Sequence, residues 1–378
     1  MAEEQITTDF EPQRTLPPRV ALIASRRTVA EYPLYLKYLL VGLADESVPV
    51  LLVCPPMPEA DTIIPPAVEV VHHPAIDIPP LAFYNRKLLL GRLIEFGPDL
   101  IHCLCETRAG LARWLTRRLK LNYLLNINSI TARFHFLSLS KTRCIAIITP
   151  AKTIADNFAA CHPKFADRIR QTNIGTFVPD TAACFAHPER LACIIVEQSL
   201  DNPADLQNLF SALHRLCVEN YQFLVVLAGS GRGENQIRKQ LASLGLSRIV
   251  TIVARLSGFE SALSSADIFI APRPSSCFNS LLLAAMSAGS AVVACTGGVD
   301  DLLIDGKTSL AFNPDDQLSI YNCLKRLFDA REFARQIASG AQQNLRQNHH
   351  VSDMVASTLQ LYRQAARASA PKAEAPAA

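Results

Sequence analysis

The sequence has almost no charge in one stretch where the chain is predicted to reverse direction. Between Pro272 and Asp300 there is no carboxylate, histidine or lysine, and Arg273 is the only charged residue. The stretch is nevertheless patterned as a buried strand, a proline-bounded turn, an apolar helix and a second strand that ends at Gly297 and Gly298. That order is typical of a ligand-binding corner in an α/β sheet. The corner therefore lacks nearly all the polar groups that such a site normally uses.

Several common site motifs are also missing. The chain contains no C-x-x-C pair, P-loop, G-x-S-x-G or H-E-x-x-H. Its eleven cysteines are scattered, mostly within apolar runs, which is typical of free buried thiols in a reducing compartment. The adjacent histidine pairs, at 72–73 and 349–350, cannot face one site in a regular element. We therefore expect no metal and no cofactor.

No stretch of the sequence predicts a membrane span or a nucleic-acid surface. The N-terminal residues carry no signal-peptide core, and no apolar run approaches the roughly 20 residues of a membrane helix. The predicted location is cytoplasmic, with peripheral membrane association left open. The net charge is only +3. The basic cluster of Arg113, Arg117, Arg118 and Lys120 has the spacing of a solvated helix face, so nucleic acid is not a predicted partner.

Short apolar runs alternate with helical patterns along most of the chain. The alternation runs from "VALIAS" to "KTIADNFAACH" and restarts from "LACIIV" to "DIFIAP", which predicts parallel sheets covered on both faces. The predicted fold class is α/β, with two doubly wound, Rossmann-like parallel-sheet domains facing a cleft. The predicted divisions are 1–18 (disordered or extended), 19–178 (first domain), 190–335 (second domain), 336–367 (C-terminal helices packing back) and 368–378 (disordered tail).

The order and spacing of several segments resemble one enzyme family. These segments are "FLVVLAGSGRGENQIRKQL", "RIVTIVARL", "SSADIFIAP", "LLLAAMSAGSAVVACTGGVDDLLIDGKTSLAFNPDD" and "HHVSDMVASTLQLYRQ". Together they resemble the retaining GT-B glycosyltransferases of group 1, which use nucleotide sugars. The first half fits more loosely, through "PDLIHCLCE" and "NIGTFVPD". The resemblance implies a GT-B fold with an acceptor-type first domain, a nucleotide-sugar donor-type second domain, and a last helix that crosses back onto the first domain.

The residues that this family uses at the donor site are absent. The resemblance implies two glutamates with seven residues between them, which fall at Ser276 and Ala284. It also implies an arginine and a lysine on the donor diphosphate, which fall at Ser199 and Ala204. A histidine at the end of the fourth strand falls near Asn128, and the glycine pair after the first strand is replaced by "SRRTV". Losing one such donor costs on the order of 10²–10³ in rate, so ordinary catalysis by this mechanism is not expected.

Some binding features remain. Glycine at a strand-to-helix turn lets backbone N–H groups approach an anion, and Gly229, Gly231, Gly233, Gly297 and Gly298 are possible phosphate contacts on that ground. Plain tight turns explain these glycines equally well. Arg273 is a possible replacement phosphate anchor, with a surface arginine as the alternative. Glu106 and Arg108 follow the third predicted strand, so they join Asn128 as possible acceptor-side residues.

The sequence therefore predicts a glycosyltransferase-like protein with a degenerate donor site. The expected role is a non-catalytic partner or regulator in glycan or cell-surface polysaccharide assembly, with an active glycosyltransferase as a possible protein partner. One alternative is a working retaining glycosyltransferase that holds a nucleotide sugar through backbone amides and Arg273. Another is a binding protein for a nucleotide or a sugar. Whether the chain is an enzyme is left open.

Overall fold

The computed structural model describes residues 17–57, 63–73, 79–130, 137–187, 189–254 and 259–369. Its strands are β1 Val20–Ile23, β2 Val50–Cys54, β3 Glu69–His72, β4 Leu100–Cys103, β5 Asn122–Asn126, β6 Cys144–Thr149, β7 Ile169–Gln171, β8 Ala192–Glu197, β9 Phe223–Ala228, β10 Val250–Val253, β11 Ile268–Ala271, β12 Ala291–Cys295 and β13 Leu310–Phe312. Most of residues 1–18 and 368–378, for which disordered or extended ends are predicted, lie outside the described residues.

Helices connect these strands in the predicted alternation. They are α1 Arg26–Glu31, α2 Pro33–Asp45, α3 Pro79–Phe96, α4 Ala109–Leu119, α5 Lys152–Cys161, α6 Gln207–Val218, α7 Glu234–Ser243, α8 Phe259–Leu263, α9 Ser280–Ala288, α10 Gln317–Asp329, α11 Arg331–Asn348 and α12 Val351–Ser369. Short 3₁₀ helices lie at Glu106–Arg108, Pro163–Arg168 and Pro203–Leu206.

The strands form two parallel sheets, as predicted. The first has the order β3-β2-β1-β4-β5-β6-β7, and the second β10-β9-β8-β11-β12-β13. The central strands are short apolar runs buried on both faces, such as "VALI" in β1 and "AVVAC" in β12, which is the pattern of a sheet covered by helices on both sides. The strand order reverses between β1 and β4 in the first sheet and between β8 and β11 in the second. Ligands of such sheets bind beyond the carboxyl ends of the strands at those points.

The edge strands β3 and β7 are absent from the sequence prediction. Their residues are mostly exposed or half-buried, so neither carries the apolar run that marks a strand. The pattern of "SALSSA" predicts a short helix over 261–266, and in the structure the helix lies earlier, at Phe259–Leu263. Proline is favoured in the first turn of a helix, so the sequence predicts a helix that begins at Pro203. In the structure the segment begins there as a 3₁₀ turn and becomes α-helical at Gln207.

The last helix packs on the first domain, which confirms the prediction of a crossing C-terminal helix. α12 contacts α2, β4 and β5. Its Tyr362 is fully buried, and the hydroxyl oxygen lies 2.7 Å from Nδ1 of His102. Nε2 of His102 lies 2.7 Å from Oδ1 of Asn126, whose Nδ2 donates to the hydroxyl of Tyr35 at 2.8 Å. A buried polar network therefore fixes α12 to the first sheet.

The hydrophobic core is continuous across the domain boundary. One cluster of buried side chains fills the first domain and also includes Leu282, Leu283 and Met286 of α9, from the second domain. A second cluster fills the rest of the second domain. α9 is apolar nearly all round because one side faces its own sheet and the other faces the first domain.

Candidate functional site

A cavity of about 620 Å³ lies between the two domains, beyond the carboxyl ends of β8 and β11. Both domains contribute to its lining. The first supplies Arg27 and Glu31 from α1, and the second supplies the loop after β8, the turn after β9 and the loop that joins β11 to α9. This is the reversal point of the second sheet, where the topology predicts a ligand site.

The structure brings two of the four donor-site positions into this cavity. Ser199 and Ser276 both line it, although they are far apart in the sequence. Ala284 lies one turn into α9 and lines a separate cavity of about 490 Å³. Ala204 lines neither of them; its backbone N–H is bonded to the side chain of Asn202 at the start of a 3₁₀ helix. Ala284 and Ala204 therefore do not line the cavity that Ser199 and Ser276 line.

The cations that line the cavity are already paired with carboxylates. Arg273 lies between Asp205, at 3.3 Å from its Nε, and Asp315, at 3.6 Å from its Nη1. The contact with Asp205 is an ion pair without a well-aligned hydrogen bond, because Nε has no hydrogen-bond partner. Arg27 donates to Glu31 at 2.6 Å and to the Cys277 thiol at 2.9 Å. An incoming phosphate would have to compete with these partners.

A half-buried carboxylate lines the cavity. Glu197 is the last residue of β8, and its Oε2 accepts a hydrogen bond from Nδ2 of Asn279 at 2.8 Å. The Oδ1 of Asn279 caps α9 by accepting from the N–H of Leu282 at 2.7 Å, so Asn279 holds both the helix end and the carboxylate. Burial raises the pKa of Glu197, and the nearby Glu31 carboxylate acts in the same direction.

Close packing of the backbone explains four of the glycines. A Cβ at Gly229 would lie 1.9 Å from the carbonyl oxygen of Gln198, and one at Gly231 would lie 2.3 Å from the backbone of Leu200. Gly233 is packed in the same way against Leu200, and Gly298 against Ser275. These residues allow the loops after β8 and β11 to approach their neighbours. Of the five glycines singled out as phosphate contacts, only Gly229 lines the cavity.

The backbone conformation, and not close packing, explains the glycine at position 297. Its φ is +103°, a conformation that side chains disfavour, and its N–H donates to the Asp300 carboxylate at 2.9 Å. That N–H is therefore already bonded within its own turn. This geometry fits a tight turn at Gly297 better than a contact between Gly297 and a phosphate.

The loop that carries Ser276 is bonded directly to the first domain. Ser129 and Cys277 form an isolated antiparallel β-bridge. The N–H of Ile130 donates to the carbonyl of Ser276 at 2.7 Å, and the N–H of Phe278 donates to the carbonyl of Asn128 at 2.9 Å. We call these six residues, 128–130 and 276–278, the interdomain bridge.

Contacts from α1 and its flank reinforce the interdomain bridge. The Tyr32 hydroxyl donates to the Phe278 carbonyl at 3.0 Å, and the Ser280 hydroxyl donates to the Glu31 carbonyl. Farther along the interface, the N–H of Thr153 donates to the Asp301 carboxylate at 3.0 Å. The position that would hold the family's first donor-site glutamate is therefore part of a contact that holds the domains together.

The acceptor-side candidates lie beside the interdomain bridge. Glu106 accepts a hydrogen bond from the Ser129 hydroxyl at 3.1 Å, and Asn128 donates to the Leu104 carbonyl at 3.3 Å. Both line a small cavity of about 20 Å³. Arg108 ends the 3₁₀ helix that begins at Glu106 and does not line that cavity.

Two buried thiols at the end of β4 have opposite ionisation tendencies. A hydrogen bond from the Cys103 thiol lowers the pKa of Cys105 to about 6, and burial raises the pKa of Cys103 well above its ordinary range. The other donors to the Cys105 sulfur are hydroxyls, from Thr107, Ser25 and Thr28. This is a buried strand end with polar side chains around it.

Two further features bear on the predictions of binding. Within the described part of the chain, no group of three or more His, Cys, Asp or Glu side chains is placed to hold a metal ion. In the same part, no helix has both the length and the apolar character needed to cross a bilayer.

The sequence prediction missed the first-domain side of the cavity. Arg27 and Glu31 belong to α1, which the helical pattern did not indicate because the helix has only six residues. The signal was available in "SRRTV", which replaces the glycine pair after β1 and so places Arg27 at the reversal point of the first sheet. Asn279 could have been found as the helix cap before the apolar run of α9.

A family model matches part of the chain, mostly in the second domain. Residues 194–330 match the family model described as glycosyl transferases group 1. The chain is 23% identical over 294 residues to the sulfoquinovosyl transferase SQD2 of Arabidopsis thaliana, a match that covers 70% of this chain and 56% of that protein. The chain therefore spans little more than half the length of this curated relative.

Solved glycosyltransferase structures share the fold over nearly the whole chain. A glycosyltransferase from Rickettsia africae ESF-5 matches with a TM-score of 0.77 at 12% identity, covering 93% of this chain and 99% of that one. Anabaena HepE, solved with UDP and glucose, matches with a TM-score of 0.73 at 15% identity, covering 92% and 100%. The chain has the GT-B fold, and the family match supports a glycosyltransferase-like protein of group 1.

Proposed function

We propose that the protein is a non-catalytic GT-B protein whose donor site has degenerated. The observation that carries the proposal is the state of the cations at the cavity. Arg27 and Arg273 are the cations among the described lining residues, and each is paired with carboxylates. Transfer from a nucleotide sugar needs positive groups where charge develops on the leaving diphosphate. The serines at 199 and 276 do not supply them.

The interdomain bridge supports the same proposal. Enzymes of two facing domains commonly open and close around their ligands. Here the loop that contains Ser276 is bonded directly to residues 128–130 of the first domain. Arg27 lies where the family has its glycine pair, and Ser276 lies where the family has its first glutamate. Both residues now belong to segments that make contacts between the domains.

We propose that the protein acts as a partner or regulator in the assembly of a glycan, such as a cell-surface polysaccharide, with an active glycosyltransferase as its protein partner. The group 1 match and the names of its relatives support glycan assembly as the setting. We propose a cytoplasmic location because all eleven cysteines are free, as is usual in a reducing compartment.

A second candidate is a working retaining glycosyltransferase. It is favoured by the placement of Arg273 and Gly229 in the same cavity as Ser199. A donor diphosphate would have to draw Arg273 away from Asp205 and Asp315. It would also have to find backbone N–H groups in place of the missing arginine and lysine.

Turnover measurements separate these two candidates. The purified protein is incubated with UDP-, GDP- and ADP-sugars, and release of the nucleoside diphosphate is followed with and without simple sugar acceptors. The non-catalytic proposal predicts no release above the level of a heat-denatured control. Release that depends on native protein and disappears in Arg273→Ala would support the working transferase instead.

A further inference from the structure

The charge that lines the cavity differs from what a nucleoside diphosphate requires. The carboxylates of Glu31 and Glu197 balance the guanidiniums of Arg27 and Arg273, and the paired Asp205 and Asp315 lie directly behind Arg273. The cavity is therefore neutral to negative at its base. A diphosphate would bring further negative charge towards a half-buried carboxylate, and like charges at close range in a partly desolvated site oppose binding.

The side chain of Glu197 is held in place by one hydrogen bond, and only one of its two carboxylate oxygens accepts it. Asn279 donates to its Oε2, and no described residue donates to its Oε1. Because Asn279 is itself fixed by capping α9, the carboxylate has a defined position without a neutralising cation. An ionised carboxylate is an acceptor for up to about four hydrogen bonds, and hydroxyl donors to it form short, strong bonds.

Hydroxyls and a carboxamide are among the other polar groups that line the cavity. Gln198 and Ser230 line the cavity, and neither side chain has a hydrogen bond to another described residue. The hydroxyls of Ser199 and Ser276 line it as well. This set can both donate and accept at several points around one carboxylate, which suits a ligand with many hydroxyl groups and no charge.

We propose that the cavity binds an uncharged sugar, as a free sugar or a terminal glycan unit, through Glu197 and the surrounding hydroxyl and carboxamide groups, and that it excludes nucleoside diphosphates. The volume of about 620 Å³ lies within the range of about 300–1,000 Å³ typical of small-ligand sites. The inference rests on the proposed non-catalytic function. It proposes that this cavity recognises a sugar or glycan instead of a nucleotide sugar.

Calorimetry on the full chain tests the ligand class. The probes are glucose, galactose, maltose and sucrose, with glucosamine, UDP and UDP-glucose measured in the same buffer. At least one neutral sugar is expected to bind, and neither UDP nor UDP-glucose is expected to compete with it. Tighter binding of UDP than of every neutral sugar would overturn the inference. Binding of glucosamine alone would also overturn it. So would the absence of binding by every neutral sugar at concentrations up to about 100 mM, because simple ligands bind with dissociation constants in the millimolar range.

Variants locate the binding in this cavity. Glu197→Gln keeps the shape of the side chain and removes its charge, so the affinity for the neutral sugar is expected to fall at least tenfold. Glu95→Gln, on the exposed end of α3, is the matched control and should leave it unchanged. Ser230→Trp fills an exposed position at the cavity without altering Glu197, and it should abolish binding even if Glu197→Gln does not fold. Unchanged affinity in the folded variants would refute the site.

The same preparation keeps the two proposals apart. Native-protein-dependent release of UDP from UDP-glucose would overturn the proposed non-catalytic function. It would also overturn the proposed exclusion of nucleoside diphosphates, because turnover requires that UDP-glucose bind to the protein. If no UDP is released and no neutral sugar binds, the inference fails while the non-catalytic function is retained.

Discussion

At the scale of single residues, Ser199 offers a test of the proposed loss of phosphate-binding cations. Ser199 lines the cavity, and its hydroxyl donates only to Asp201 within its own loop, at 2.9 Å. An arginine there offers a planar pair of donors to a phosphate. Ala204 is exposed on the next turn, so a lysine there can reach towards the same loop without a clash in the core.

We expect Ser199→Arg combined with Ala204→Lys to bind UDP at least ten times more tightly than the parent protein. Hydrogen bonds to charged groups contribute about 1.5–3 kcal/mol each, and tenfold requires only about 1.4 kcal/mol. Calorimetry with UDP measures the difference. The matched control is Ser357→Arg with Ala356→Lys, on the exposed face of α12. An equal gain in the control would show that added charge alone, and not the site, is responsible.

The glycines of the loop after β9 provide a second test at this scale. Gly229→Ala places a Cβ 1.9 Å from the Gln198 carbonyl oxygen, so the two loops must move apart. We expect the free energy of unfolding to fall by about 1–3 kcal/mol, the usual cost of overpacking. Gly91→Ala in α3 meets no atom within 4 Å and should stabilise slightly, since alanine is the better helix former. Urea denaturation compares the two. Equal stability of both variants would contradict the packing role of Gly229.

The sequence indicated some of the residues that line the cavity, but it did not indicate their structural roles. Ser199 and Ser276 line one cavity, and their role at a donor site stays a prediction from the spacing of two framework segments. Ala284 lines a different cavity. Which cavity a residue of α9 lines depends on how that helix is rotated against the first domain. The packing role of Gly229 depends on the distance between two loops, and a sequence pattern contains no distances.

At the scale of elements, the docking of α12 depends on a histidine that is buried without charge. Burial lowers the pKa of His102 to about 4 from an ordinary 6.5. Its two ring nitrogens lie between Tyr362 of α12 and Asn126 of β5. Burial also lowers the pKa values of His349 and His73. Protonation of any of these residues is therefore favoured in the unfolded chain.

We expect the free energy of unfolding to fall as the pH falls from about 6.5 to about 4. In this window the unfolded chain binds more protons than the folded chain, because the folded pKa of His102 is the lower one. The stabilisation is complete above the unfolded pKa, and His102 alone accounts for a loss of about 3 kcal/mol across the window. Urea denaturation at pH 7.0 and 4.5 measures it.

The matched variants for the pH effect are His102→Gln and His350→Gln. The first removes the buried titrating group and should flatten the pH dependence while lowering stability at every pH. The second removes an exposed histidine and should keep the parent's slope. A slope unchanged in His102→Gln would mean that other groups cause the acid sensitivity.

Elements with a clear apolar period were predicted well, and those without one were not. The buried central strands are continuous apolar runs, so the pattern indicated them directly. The edge strands β3 and β7 contain "EVVH" and "IRQ", with exposed or half-buried side chains. They are strands because their backbones pair with β2 and β6. Such pairing is a tertiary fact that overrides local propensity.

At the scale of the whole molecule, three contacts join the two domains in addition to the hydrogen bond from Thr153 to Asp301. α12 crosses back onto the first sheet, α9 shares the first core, and the interdomain bridge joins the two loops at the cavity. The first two contacts are apolar or deeply buried. The interdomain bridge is a small set of hydrogen bonds beside the cavity, so it is the part of the interface that opening must break first.

We expect the amides of Ile130 and Phe278 to exchange hydrogen slowly in the protein without ligand, and faster in Tyr32→Phe. The Tyr32 hydroxyl donates to the Phe278 carbonyl at 3.0 Å from a buried position. Its removal deletes one hydrogen bond, worth about 0.5–1.5 kcal/mol, so exchange should speed up by up to about tenfold. Tyr84→Phe, on the exposed face of α3, is the control and should leave both amides unchanged. If both amides already exchange at the rate of an unfolded peptide in the parent, the domains open freely and the bridge does not hold them. The paired state of Arg27 would then describe only the closed form, and an open form could present its guanidinium to a phosphate.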